Sequence, residues 1–166
     1  MLAVLDRVAE ISHWQEPAAE GISRGLAVVE IYGSYVAQVV EARADDEGIQ
    51  VERVYAAIDC GRAINPGQVE AQIQGAVIDA LGAAMRQKVT IRDGHAEQSN
   101  FHDYPAMRIH QVPKIEVAIL ENNPRITGVG EPGTPPSMSA LTNAIFDLTG
   151  KRARTLPLMN EFDLLV

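Results

Sequence analysis

The sequence contains a single cysteine, Cys60, so the chain can form no internal disulfide. It has no apolar stretch that approaches the roughly 18 residues of a membrane-spanning helix. Residues 1–14 also lack the basic start and the cleavage site of a signal peptide. These absences leave the localisation undetermined: a soluble protein of the cytoplasm and one of the periplasm fit equally well.

Basic residues are scarce as well, because 14 Lys and Arg stand against 22 Asp and Glu, for a net charge of -8. An acidic surface attracts neither nucleic acid nor an anionic membrane, so we expect neither as a partner. With 46% hydrophobic residues, the chain suits a single domain over residues 1–166 that buries roughly 70% of its unfolded surface. Leu2, Leu5, Val8 and Ile11 recur at helical spacing with no cap before them, which suggests a piece of a longer polypeptide.

Hydrophobic periodicity and turn residues divide the chain into helices and strands. We predict helices over residues 2–14, over 65–85 and after Thr134, strands over 25–31, 35–44, 49–58 and 114–120, and a hairpin over 88–98 that turns at Asp93-Gly94. Asn65 caps the second helix, with Pro66 at its first position. Thr134 caps the third helix, with Pro135 at its first position, and Gly150 ends it. Since the apolar face of a sheet must be covered, we predict an α+β fold, a two-layer domain with a mixed β-sheet covered by a few helices.

A loop rich in glycine and proline, residues 127–133, precedes the last helix. Gly128, Gly130 and Gly133 match the G-x-G-x-x-G fingerprint of dinucleotide-binding proteins. That fingerprint needs a strand that leads straight into the turn, whereas Asn122-Asn123-Pro124 interrupts here. The prolines also remove backbone donors that a pyrophosphate would need. We therefore do not expect a nicotinamide cofactor at this loop.

Glu131 lies at the tip of the same loop, where glycines permit close approach and prolines limit motion. The positive partial charge at the start of the following helix favours an ionised carboxylate nearby. Local chemistry leaves two interpretations open. Glu131 caps its own helix, or it is a preorganised carboxylate that acts as a general base.

The second predicted helix has two unlike faces. One is an apolar stripe formed by Val69, Ile73, Val77, Ala80 and Ala84. The other carries Gln72, Gly75 and Gly82. Glycine costs about 1 kcal/mol inside a helix, so two glycines at this spacing indicate that something approaches closely. That neighbour is either another backbone or a cofactor, in which case the Gln72 amide can hydrogen-bond to it.

The remaining polar residues give no site of their own. His102, Asp103 and His110 do not have the spacing of a metal-ligand set, and we predict solvated or hydrogen-bonded side chains. Cys60 follows an apolar strand and is predicted to be a small buried group. No serine lies in the turn context of a hydrolase nucleophile.

Three segments of the chain follow one another in a specific order. They are residues 57–85 (AIDCGRAINPGQVEAQIQGAVIDALGAAM), 98–109 (QSNFHDYPAMRI) and 128–158 (GVGEPGTPPSMSALTNAIFDLTGKRARTLPL). Together they resemble the C-terminal region of the molybdopterin-binding large subunit of the xanthine dehydrogenase and aldehyde oxidase family. Within it, the sequence looks most like isoquinoline 1-oxidoreductase β-subunits, and the resemblance runs from Gly25 to Leu158.

The resemblance implies hydroxylation of an N-heterocycle or an aldehyde with oxygen derived from water. In this family the glutamate of the GVGE segment takes the proton from a molybdenum-bound hydroxide, and it maps to Glu131. Gln72 maps to a glutamine that contacts the pterin, with Gly75 and Gly130 on the cofactor side. No metal ligand maps to this chain, and electrons leave through iron–sulfur clusters on a small partner subunit.

The family's large subunit is several times longer than this chain. The resemblance therefore implies the C-terminal cofactor-binding portion of a larger subunit. Its partners would be the remaining domains, the iron–sulfur subunit and a small-molecule substrate. We expect the isolated chain to be inactive. The alternative is a non-catalytic module that uses the same fold to bind a small molecule or to scaffold a partner.

Overall fold

The computed structural model describes residues 1–165 and contains a four-stranded sheet, a short hairpin and three α-helices. In chain order the elements are α1 (Leu2–Ile11), β1 (Ser23–Ile31), β2 (Ser34–Asp45), β3 (Gly48–Asp59), α2 (Pro66–Met85), β4 (Ile91–Arg92), β5 (His95–Ala96), β6 (Lys114–Leu120) and α3 (Thr134–Thr149). The large sheet has the order β1-β2-β3-β6, in which β6 alone runs parallel to its neighbour. The mixed sheet and its helices agree with the predicted α+β class. In the described residues, no helix is both long and apolar enough to cross a membrane.

Helices cover both faces of the sheet, so the predicted two-layer arrangement is wrong. Val36 and Val40 of β2 pack with α2 and α3. Ala37 and Val39, which point to the opposite face, pack with Val8 of α1. All five side chains are fully buried. Because β2 is apolar on both faces, a single helical layer would leave one of those faces in water, and α1 removes that exposure.

The start of α2 follows the sequence prediction. Asn65 Oδ1 accepts a hydrogen bond from Gln68 N at 3.2 Å, and Pro66 is the first helical residue. The predicted apolar stripe is buried along its whole length, at Val69, Ile73, Val77, Ala80 and Ala84. These contacts fix the rotation of α2 and leave most of its opposite face outside the core, apart from the buried Gly82.

The first helix is shorter than predicted. It ends at Ile11 rather than at residue 14, and His13 has a φ of 52°, which a right-handed helix cannot contain. Its apolar stripe is also rotated from the predicted one, since Leu2 is 75% exposed whereas Val4 and Val8 are fully buried.

The last helix begins one residue earlier than predicted. Thr134 is already helical, Gly133 is the capping residue, and no side chain caps this end of α3. Instead, Thr134 N donates to the Glu131 carbonyl oxygen at 3.0 Å, so the backbone of the preceding loop satisfies one of the free donors. Gly150 ends the helix in the left-handed conformation, with φ of 71°, as predicted.

Two tight hairpins have turns in which both central residues take positive φ. The predicted turn at Asp93-Gly94 joins β4 and β5, with φ of 50° and 79°. Tyr32-Gly33 joins β1 and β2, with φ of 53° and 79°. These angles are typical of the type I′ turn, whose twist matches that of antiparallel strands.

Helix α3 lies very close to β1 at Gly25. A Cβ placed on Gly25 would collide with the Ala140 carbonyl oxygen and the Ala144 nitrogen of α3. Glycine is therefore required here by close backbone approach. This contact fixes the position of α3, and with it the end of the loop that carries Glu131.

Candidate functional site

The loop that joins β6 to α3 is attached to the end of β3. It begins after Leu120, and Thr127 N donates to the Cys60 carbonyl oxygen at 3.0 Å. The carboxylate of Asp59, only 5% exposed, accepts from Gly61 N at 3.2 Å and from Asn123 N at 3.0 Å. The loops after β3 and β6 are thus held together by one buried acid. Because β6 ends well before the glycine motif, the strand-to-helix turn of a dinucleotide fold is absent from this loop, as the sequence indicated.

The β1–β2 turn holds the same loop from a second side. Ser34 Oγ lies 2.7 Å from Thr127 Oγ1 and donates to the Gly128 carbonyl oxygen at 2.6 Å. Asn123 Nδ2 donates to the Gly33 carbonyl oxygen at 2.8 Å. The end of this turn that leads into β2 is therefore bonded to the loop before Glu131.

A buried polar cluster anchors the end of the loop. Gln38 and Ser137 are fully buried. Gln38 Nε2 donates to the Gly133 carbonyl oxygen at 2.8 Å. Ser137 Oγ lies 2.6 Å from Gln38 Oε1 and 2.7 Å from the Gly133 carbonyl oxygen, and its one proton can bridge to either. Satisfied polar groups of this kind fix one arrangement of the backbone, because losing a partner in the core is costly.

Glu131 is exposed at the tip of this anchored loop. Its Oε2 accepts a hydrogen bond from Tyr32 Oη at 3.3 Å. The first turn of α3 bonds to the backbone carbonyl of Glu131, not to its side chain. Of the two interpretations left open by the sequence, capping by the carboxylate is therefore not what the structure shows. The carboxylate faces solvent on a supported loop, which is the geometry that a general base needs.

The polar face of α2 lies at the edge of this loop. A Cβ placed on Gly133 would lie 3.0 Å from Ala76 Cβ, so loop and helix are in direct contact. Ala76 is one turn beyond Gln72, on the same side of the helix. Gln72 is half-buried, and among residues 1–165 its amide has no hydrogen-bond partner. The donor and acceptor of the Gln72 amide are therefore not used by the described part of the chain.

The glycines of this region divide into two kinds. Gly82 is buried beside Met107, 3.7 Å from the position of a Cβ, so for Gly82 the close neighbour is protein. Gly75 and Gly130 are exposed, and a Cβ on either would meet no heavy atom within 4 Å. The surface at these two positions is open to a large partner.

The structure does not bring the remaining polar residues into a site. His102 and His110 are exposed, and Asp103 accepts from the backbone N–H groups of Asn100 and Ser99, which lower the pKa of its carboxyl. Over residues 1–165 no group of three His, Cys, Asp or Glu side chains lies together as a metal site would require. Cys60 is 2% exposed, as predicted, and burial raises the pKa of its thiol.

Sequence reasoning missed Tyr32, Gln38 and Ser137. In the structure two residues, Tyr32-Gly33, separate β1 from β2, but nothing local in the sequence indicates that the Tyr32 ring reaches Glu131, 99 residues away. Gln38 lies in a run of apolar strand residues, where a lone glutamine signals a buried polar contact.

The chain is thus a mixed sheet covered by helices, and the tip of the loop between β6 and α3 is accessible to a ligand. The sequence profile of the molybdopterin cofactor-binding domain family matches residues 8–113. As this match spans more than half of the chain, the protein belongs to that family. The matched residues include Gln72 and Gly75 and stop short of Glu131.

The individual relatives that the chain resembles are subunits of oxidoreductases. The chain is 36% identical over 161 residues to isoquinoline 1-oxidoreductase subunit beta from Brevundimonas diminuta, covering 94% of this chain and 21% of the relative. It is 30% identical over 118 residues to the molybdenum-binding subunit of aldehyde oxidoreductase from Escherichia coli, covering 66% and 16%. The solved structure of quinoline 2-oxidoreductase from Pseudomonas putida 86 matches with a TM-score of 0.64 at 28% identity, over 75% of this chain and 17% of that one. The chain thus spans only about a fifth of the length of such relatives.

Proposed function

We propose that this chain is the C-terminal cofactor-binding portion of a molybdenum hydroxylase. Its substrate would be an isoquinoline-like N-heterocycle or an aldehyde, oxidised with oxygen derived from water. The identity to isoquinoline and aldehyde oxidoreductase subunits supports the reaction class. The single observation that carries the proposal is the anchored, solvent-facing carboxylate of Glu131 beside the open edge of α2.

The open edge fits a molybdopterin. The Gln72 amide has both a donor and an acceptor to offer, and Gly75 and Gly130 leave room for a bulky group to approach the backbone. When bound, the cofactor supplies a redox-active molybdenum that takes two electrons from the substrate. In the proposal these electrons pass on to iron–sulfur clusters of a small partner subunit.

Glu131 acts in this proposal as the general base. Its carboxylate accepts the proton that leaves the water-derived oxygen as that oxygen attacks an electron-poor carbon. The anchors at Thr127, Gly128 and Gly133 keep the loop in one position, so little ordering is needed at the moment of reaction. Gln72 binds the pterin and so sets its position relative to Glu131.

The isolated chain is proposed to be inactive. Tight binding of a small molecule needs most of its surface buried, whereas Gly75, Gly130 and Glu131 form one open side of a cleft. The remaining domains of the subunit would supply the other sides. That same openness supports the second candidate, a non-catalytic module that binds a small molecule or scaffolds a partner.

The substitution Glu131→Gln in the full-length protein that contains this chain tests the proposal. A general base contributes about 10²- to 10⁴-fold, so turnover is expected to fall by that factor. Molybdenum content and unfolding temperature should stay at the wild-type values, because the amide fits the same exposed position. Glu20→Gln, at another exposed glutamate, serves as the matched control. Normal turnover in Glu131→Gln would refute the role of Glu131 and favour the non-catalytic module.

A further inference from the structure

Tyr32 occupies a position where tyrosine is unfavourable for two reasons. It is the first residue of the β1–β2 turn, with φ of 53°, a conformation that usually selects Asn, Asp or Gly. Its side chain is also 64% exposed, so burial of the ring does not compensate for the backbone cost. Turn formation alone therefore does not explain a tyrosine here.

The contacts of Tyr32 point to the loop opposite. Tyr32 Oη donates to Glu131 Oε2 at 3.3 Å. A Cβ placed on Gly128 would lie 3.2 Å from Tyr32 Cβ, so the start of the tyrosine side chain rests against the loop backbone. The bonds of Ser34 and Asn123 hold the turn in this place. The ring is thus supported at its base and reaches the acid with its hydroxyl.

We propose that Tyr32 is a positioning residue for Glu131. Its hydroxyl holds Oε2, which restricts the rotation of the carboxylate, and leaves Oε1 as the oxygen that accepts a proton. This inference rests on the proposed role of Glu131 as general base. In this proposal Tyr32 acts only through the acid.

The hydrogen bond is tested first on the 166-residue chain by carboxyl ¹³C NMR, with the Glu131 resonance assigned by its loss in Glu131→Gln. Tyr32→Phe is expected to move this resonance and to leave the other glutamate carboxyl resonances in place. Tyr104→Phe is the matched control, because Tyr104 lies in the segment after β5 and makes no hydrogen bond to Glu131. An unmoved Glu131 resonance in Tyr32→Phe would overturn the proposal.

If Tyr32→Phe does not fold, the hydrogen bond between Tyr32 and Glu131 can be detected at the tyrosine instead of at the glutamate. With Cζ-labelled tyrosine, Glu131→Gln is expected to move the Tyr32 resonance and not that of Tyr104. A Tyr32 resonance that stays in place would likewise show that the two side chains are not bonded.

Turnover of the full-length protein shows whether Tyr32 positions Glu131 or only stabilises the fold. Losing one hydrogen bond should lower kcat of Tyr32→Phe about fivefold, while KM and molybdenum content stay unchanged. In a Glu131→Gln background the same change should have no further effect. A second fivefold loss there would refute action through Glu131. Normal turnover of Glu131→Gln alone would refute the proposed function, and the NMR result for the bond would still stand.

Discussion

One buried amide connects the strand core to the loop that carries the candidate base. Gln38 uses its Nε2 for the Gly133 carbonyl and offers its Oε1 to the Ser137 hydroxyl. Ordinary β-strand physics favours an apolar residue at a fully buried position of β2, so the amide is explained by its two partners. At the scale of the residue, the position of Glu131 depends on this network as well as on the Tyr32 hydroxyl.

Replacing Gln38 by Leu should destabilise the chain. The Gly133 carbonyl oxygen and the Ser137 hydroxyl would each lose their bond to Gln38 and keep only the bond to each other, and each lost hydrogen bond costs about 0.5–1.5 kcal/mol. Urea unfolding of the 166-residue chain measures the change. Gln74→Leu is the control, since the Gln74 amide bonds only to Glu70 along α2 and should change stability by less than about 0.5 kcal/mol. Equal midpoints for the two variants would show that the Gln38 network contributes nothing.

At the scale of the element, α2 and α3 fix the site by packing against different neighbours. The apolar stripe of α2 packs on the sheet, and the same helix meets the loop where Gly133 lies against Ile73 and Ala76. Helix α3 is held against β1 through Gly25. Between these contacts Gly75 on the polar face of α2 is exposed. Fold stability would favour alanine at such a position, whereas close approach of a ligand would favour glycine.

Glycine-to-alanine changes should therefore have opposite effects at two positions. Gly75→Ala is expected to raise the free energy of unfolding by roughly 0.5–1 kcal/mol, because alanine favours the helix and the added methyl meets nothing. Gly25→Ala should lower it by about 1–3 kcal/mol, because its methyl would overlap the backbone of α3. Both are measured by urea unfolding of the chain.

Measuring the molybdopterin content of the purified protein then distinguishes the effect of Gly75 on stability from its effect on cofactor binding. If the cofactor approaches α2 there, Gly75→Ala in the full-length protein should be more stable yet carry less molybdopterin. Wild-type cofactor content in that variant would contradict the assignment of Gly75 to the cofactor side. Ala71→Ser, at another exposed position of α2, controls for a general effect of altering the helix surface.

The segment after α3 depends on one acid, and its order should depend on pH. Glu161 Oε1 accepts from Arg154 N at 3.0 Å and from Thr155 N at 2.7 Å. The Thr155 hydroxyl and these backbone groups hold the pKa of Glu161 below its ordinary value of 4.5. A lowered pKa means that the bonds are complete above the unfolded value and are lost as the pH falls through the folded one.

Hydrogen exchange of the Arg154 and Thr155 amides should therefore rise relative to the core amides as the pH drops below 4.5. In Glu161→Gln the same amides should exchange faster than in the wild type above pH 4.5, with no added step in acid. If the protection of these amides from exchange in the wild type did not depend on pH, the ionised Glu161 carboxylate would not be what holds them. The Asp147→Asn variant controls for the loss of one negative charge elsewhere on the surface.

At the scale of the whole molecule, sequence patterns predicted the parts that local physics determines. The cap and stripe of α2, the four long strands and the Asp93-Gly94 turn depend on neighbouring residues, and all are present. The second helical layer was missed because α1 and β2 meet only in the folded chain. Tyr32 and Gln38 were missed for the same reason, since their partners lie 99 and 95 residues away.

Under the proposed function, the candidate site is completed only in a larger polypeptide that contains this chain. Glu131, Gly75 and Gly130 are exposed and Gln72 is half-buried, and isoquinoline 1-oxidoreductase subunit beta is about five times longer than this chain. The account requires a larger polypeptide to complete the cleft.

The most direct test is the molybdenum content and mass of the native polypeptide that contains residues 127–152, captured from its source with an antibody to that segment. The account predicts a chain well above 18.0 kDa that carries molybdenum in a one-to-one ratio. A free 18.0 kDa chain without molybdenum would contradict it, and the non-catalytic module would then be the better description.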